Sequence, residues 1–113
     1  MNETEFYKVL KEIIINFSTT ILEHLYSTSF HSEINKLCTT VEREVFVADR
    51  GDGTKGKVDY LVTYKCKKIG IELDKVNPKK KSIFKLQFML RNNIADEAYI
   101  ICRRTKKVYL VCA

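Results

Sequence analysis

From Asn2 to about Tyr26 the apolar residues Phe6, Leu10, Ile13, Phe17, Ile21 and Leu25 recur every third or fourth position, the spacing of one buried face on a long amphipathic helix. The segment "STSFHSEINKL" interrupts that period, with Ser32 placed to cap a short second helix. Beyond it the period falls to two. "VEREVFVADR" sets Val41, Arg43, Val45 and Val47 on one side and Glu42, Glu44, Phe46 and Ala48 on the other, which predicts a strand over about 42–49. "GDGTKG" reads as a turn, and "KVDYLVTY" and "KIGIELD" as two strands joined in a hairpin across Lys65 to Lys68.

"NPKKKSIFKLQFMLRNN" offers Asn77 as a cap and Pro78 at the first position of a helix running to about Asn92. Ile83, Leu86 and Leu90 form its main apolar face, and Phe84 and Phe88 a second stripe on nearly the opposite side. "EAYIICRR" and "KVYLVCA" close the chain as two strands around the turn "TK". The predicted order is α-β-β-β-α-β-β, an α/β domain without repeats or linkers. At 113 residues the chain suffices for a single core and one domain over 1–113.

Composition narrows the class without naming a function. Hydrophobic residues make up 45% and charged residues 30% of the chain, as in a soluble globular protein, and no run approaches a membrane span. The opening "MNETEFYKVL" is acidic and helical rather than basic then apolar, so the expectation is an intracellular, cytoplasmic protein. Cys38, Cys66, Cys102 and Cys112 form no C-x-x-C pair, and the last two lie in apolar runs, which points to free buried thiols. His24 and His31 are the only imidazoles, so any metal would be held by oxygen.

The net charge of +6 is unevenly spread. Residues 1–50 carry five Lys/Arg against eight Asp/Glu, and residues 51–113 carry fifteen against six. The second half is therefore where a polyanion would dock, although a solvated lysine-rich surface explains the same numbers. "GDGTKGKV" matches the spacing of a phosphate-binding loop from Gly51 to Lys57, but Val58 stands where a hydroxyl should be and a strand follows instead of a helix.

Glu72 and Asp74 in "GIELDK" share one face of an otherwise apolar strand. A four-residue hairpin loop would pair Leu61 with Glu72 and Asp59 with Asp74, placing three carboxylates within about 5–8 Å of one another. Such crowding raises a pKa unless a cation offsets it, and hard carboxylate oxygens suit Mg²⁺ or Mn²⁺. The competing reading is a solvent-facing set of acids neutralised by Lys57, Lys67, Lys68 and Lys75.

The order of elements around Asp59 in "KVDYLV" and Glu72 in "IGIELDK", followed by the helix "KKKSIFKLQFML", resembles the PD-(D/E)xK nuclease superfamily, the restriction-endonuclease-like fold, over about Thr39 to Ile101. The resemblance implies a central mixed β-sheet flanked by helices and a metal-dependent endonuclease-like protein that hydrolyses phosphodiester bonds of nucleic acid, DNA ahead of RNA. It implies Asp59, Glu72 and the Leu73 carbonyl as metal ligands. Asp74 stands where the family usually has lysine, and Val58 where it has proline. Asp74 would then position water or a second ion, and Lys75, Lys81 or Lys85 would take the part of the missing lysine, with Lys81 and Lys85 favoured. Glu12 and Glu23 are candidates for the acid that a first helix often adds.

Lys79, Lys80, Lys81 and Arg91 are the expected nucleic-acid contacts, extended by Arg103, Arg104, Lys106 and Lys107. The stripe of Phe84 and Phe88 points to a homodimer or to burial beneath the N-terminal helix. The alternative function is a catalytically inactive nuclease-fold domain that binds nucleic acid or a protein partner. A third is a small regulator whose acids are only surface charges.

Overall fold

The structure, a computed structural model, describes residues 4–16 and 23–113, with side chains in the second segment from residue 29 onward. Three helices, α1 (Glu5–Ile15), α2 (Glu23–Leu37) and α3 (Lys80–Arg91), accompany five strands. The strands are β1 (Thr40–Val47), β2 (Gly56–Tyr64), β3 (Lys67–Asp74), β4 (Glu97–Cys102) and β5 (Lys107–Leu110).

The predicted single N-terminal helix is two helices. Thr4 starts α1 by accepting the Tyr7 N–H, and Asn16 closes it with its own N–H on Ile13 and Ile14 carbonyls. Its buried face is Phe6, Leu10 and Ile14, with Ile13 to the side. Phe17 and Ile21 of the predicted stripe lie outside the described residues, as do the side chains of Glu23, His24 and Leu25. Ser32 is inside α2 rather than at its cap. Of the described side chains on α2, Phe30 and Ile34 are the fully buried pair, a stripe too short to read among Ser, His and Glu.

The sheet is mixed, in the order β1-β2-β3-β4-β5. Neighbours pair antiparallel except β3 and β4, which run parallel and are joined through α3, as a parallel pair requires. Helices cover both faces, so β3 buries Ile69 to Glu72 and Asp74, and β4 buries every residue after Glu97. Phe6, Leu10, Ile14, Phe30 and Ile34 pack on Tyr60, Val62, Ile69, Ile71, Tyr99 and Ile101. On the other face Leu86 and Met89 of α3 pack on Val47, Val58, Leu61, Ala98 and Ile100.

Two details differ from expectation because of backbone geometry. The β2–β3 turn has two residues, Lys65 and Cys66, both with left-handed φ (48° and 67°), so Tyr64 pairs with Lys67 and Tyr60 with Ile71. That register continues to Asp59 opposite Glu72, two residues from the predicted pairing with Asp74. Asn77 does not cap α3 either; Lys79 is the cap residue, without a side-chain bond of its own, and Pro78 precedes it.

Phe84 and Phe88 face neither the N-terminal helices, which lie across the sheet, nor a common partner. Phe88 joins the core under α3, and Phe84 packs against Gly51. Gly51 has φ +104°, and a Cβ there would sit 2.6 Å from Phe84. Gly51→Ala is therefore expected to destabilise the fold by about 2 kcal/mol in urea titration, through strain and displacement of the ring. Of the four free thiols, Cys102 is buried and Cys38 half-buried, whereas Cys66 and Cys112 are exposed, Cys66 because it forms the hairpin turn.

Candidate functional site

Side chains alternate along a regular strand, yet Val58 faces α3 while Tyr60 faces α1 and α2. The strand rolls between them, at Asp59. On β1 the same change occurs at Glu44: Val41 and Arg43 lie on the α2 side, Arg43 over the Tyr60 ring, and Val45 and Val47 lie on the α3 side. Glu44 has φ 51°, a left-handed conformation that costs a non-glycine residue about 1 kcal/mol. The pairs Arg43 with Tyr60 and Val45 with Val58 bracket Glu44 and Asp59 as register partners.

The roll turns the Asp59 carboxylate along the sheet, where Oδ2 accepts the Leu73 N–H at 2.8 Å. In return the Asp59 N–H donates to Glu72 Oε1 at 3.2 Å. Asp59 and Glu72 are thus locked together through each other's strands. Leu73 shows its amide to Asp59, and in an extended strand its carbonyl lies along the same side.

As expected, Glu72 and Asp74 share a face with Gly70, and Ile69, Ile71 and Leu73 take the other. That face lies under α3 and not in solvent: Glu72 is 3% and Asp74 4% exposed. The reading of these acids as surface charges is overturned by this burial.

Each acid has found a partner on α3. Asp74 Oδ2 accepts the Lys79 N–H at 2.9 Å and Oδ1 the Ser82 hydroxyl at 3.0 Å, so a strand residue caps the helix that its own cap residue leaves bare. Ser82 also reaches Glu72 Oε2 at 3.4 Å. Lys85, one turn further, places Nζ 3.0 Å from Glu72 Oε1 and 2.8 Å from the Lys57 carbonyl. Burial, then the Asp59 charge, push the Glu72 carboxyl up to about 7 against the opposing pull of Lys85.

Of the lysines weighed for the missing helper, Lys85 is at the acids, whereas Lys75 and Lys81 are exposed. Lys79, Lys80 and Lys81 are exposed at the same end of the sheet. Arg91 is at the other end of α3, about 16 Å along its axis from Lys80. Arg103 and Arg104 return to the acidic end, their N–H groups bonded to the Asp74 and Lys75 carbonyls. Glu12 is exposed on α1, across the sheet from Glu72.

The sequence reading did not find Ser82, a lone serine between lysine and isoleucine. Its signal is position: three residues after the helix cap, where a hydroxyl can meet an acid on the preceding strand. Among the described residues no three His, Cys, Asp or Glu side chains form a ready cage for a metal, and no helix is long and apolar enough to cross a membrane. Compared with protein-family models, curated proteins and solved structures, the chain matches none.

Proposed function

We propose that this chain is a metal-dependent endonuclease-like protein with a restriction-endonuclease-like fold that hydrolyses DNA phosphodiester bonds at Asp59, Glu72 and Lys85. One observation carries the reading: a buried carboxylate with a raised pKa meets a second acid across the hairpin and a lysine ammonium at 3.0 Å. A carboxyl perturbed by burial, gathered with a second acid and a lysine at one end of a sheet, is an arrangement for acid, base and charge-stabilising chemistry.

The donors suit Mg²⁺ or Mn²⁺, since Asp59 and Glu72 offer hard oxygens and Glu72, pushed up to about 7 by burial and the Asp59 charge, is not held ionised by Lys85 alone. Such an ion needs only one or two carboxylates, its remaining positions being water and phosphate. Asp59, Glu72 and the Leu73 carbonyl would hold it. When bound, it supplies a water of lowered pKa and offsets charge on the phosphate. Lys85 stabilises a developing negative oxygen, Ser82 and Asp74 fix the start of α3 that carries it, and Lys79, Lys80 and Lys81 draw in the backbone.

The test is cleavage of labelled single-stranded, duplex and four-way-junction DNA in Mg²⁺ and Mn²⁺, with EDTA as control. Asp59→Asn is expected to lower the rate by about 10³-fold or more, the scale of several kcal/mol of lost charge stabilisation. At subsaturating Mg²⁺ the wild-type rate should climb as pH rises through about 7, where Glu72 ionises. No cleavage of any substrate in either metal overturns the reading.

A second reading has its own support. Glu72 is already met by Lys85, and Asp74 is committed to capping α3, so the acids are satisfied without a metal. An inactive domain of this kind would bind nucleic acid through its lysines with no turnover.

A further inference from the structure

Phe46 is the one aromatic ring on β1, and it is 58% exposed. Val45 and Val47 beside it pack beneath α3, so strand alternation turns Phe46 to the other face, where neither core includes it. Its register partner is Lys57, and the ammonium of Lys55 stands 5.8 Å from its ring centroid. Both lysines are exposed. Phe46 is two residues beyond Glu44, the register partner of Asp59, which is about 7 Å along the strand. An exposed phenyl flanked by two cations therefore stands at the same end of the sheet as the paired acids, on the face away from α3.

We propose that Phe46 is a stacking platform for an unpaired base, with Lys55 and Lys57 holding the adjoining phosphates, so that the site takes single-stranded or locally unpaired nucleic acid. Stacking needs an open base face, which a closed duplex does not offer, whereas aromatic rings set in a basic groove are the usual means of holding a single strand. The charge selects this occupant over a second copy of the chain. Two copies meeting at Phe46 would bring four lysines together around one ring pair, and their mutual repulsion opposes that contact. Delivery of the strand around the sheet end to the acids rests on the nuclease reading; the stacking does not.

Fluorescence anisotropy in EDTA reads the stacking without turnover, using a labelled oligothymidine, an abasic strand of equal length and a blunt duplex. Wild type is expected to bind oligothymidine about 10-fold more tightly than the abasic strand. Phe46→Ala should lose that advantage and leave abasic binding unchanged, and Phe46→Tyr, which keeps the ring, should retain it. Equal affinity of wild type for both strands overturns the proposal, as does an equal loss on both in Phe46→Ala. A dimer in sedimentation that Phe46→Ala dissolves overturns it as well. Because no step needs cleavage, a protein that stacks but does not cut separates this result from the nuclease reading.

Discussion

Glu72→Gln is expected to make the protein more stable at pH 8 while removing the proposed cleavage activity. The Glu72 carboxyl has an ordinary value of 4.5 and about 7 in the fold, chiefly through burial. Below pH 4.5 both folded and unfolded chains hold the proton, and nothing is lost. As pH rises through 7 the unfolded chain has already released it and the folded chain must give it up against burial and Asp59, at a loss of about 3 kcal/mol. Glutamine has the same shape and can still accept the Asp59 N–H, but it carries no charge to desolvate.

Lys85 loses its ion partner in the variant, which reduces the gain, although it keeps the Lys57 carbonyl and its side chain is 16% exposed. The net expectation is a gain of about 1–2 kcal/mol at pH 8 and none at pH 4, read by urea unfolding at both. Mg²⁺ should stabilise the wild type at pH 8 and not the variant. A variant less stable than wild type at pH 8 would mean that the Lys85 contact outweighs burial.

Asp74→Ala is expected to destabilise the fold by about 3 kcal/mol. Its carboxylate satisfies the Lys79 N–H and the Ser82 hydroxyl, both at a helix start with no other cap. That start carries Lys79, Lys80 and Lys81, whose charges oppose the helix dipole, and Asp74 is the nearby negative charge that offsets them. A lost cap accounts for about 1–2 kcal/mol, and a buried hydroxyl left with only the 3.4 Å contact to Glu72 accounts for the rest. Asp74→Asn, which still offers an oxygen to Lys79, should lose only about 1 kcal/mol. Thermal unfolding checks both; equal stability of Asp74→Ala and wild type would remove the capping role.

This role explains the residue that departs from the pattern of the resembling family. The sequence reading assigned Asp74 to water or a second ion, because spacing shows only that it shares a face with Glu72. Which hydrogen bonds an acid makes depends on where the next helix begins, and α3 begins at Lys80, after the Pro78 that looked like its first residue. The alternation of "KIGIELD" was legible because a strand buried on both sides leaves no freedom in which residues share a face. The hairpin register was not, since Lys65 and Cys66 give no turn signal yet both take the left-handed conformation. That one difference moved Asp59 from Asp74 to Glu72. The end of α1 was hidden as well, because the apolar spacing in the sequence runs on past Asn16, its cap.

The left-handed turn at Glu44 also bears on the rim of the sheet. Among the described residues β1 has no strand on its outer side, and a straight eight-residue strand there would offer a ready template to any other extended chain. The roll at Glu44 breaks that rim into two short pieces whose outward amides do not share a plane, and Glu42 and Arg43 put opposite charges at the break. The same backbone distortion that aims Asp59 at β3 thereby discourages strands from adding to the edge, so straightening it would expose the protein to fibrillar self-association as well as misplace an acid.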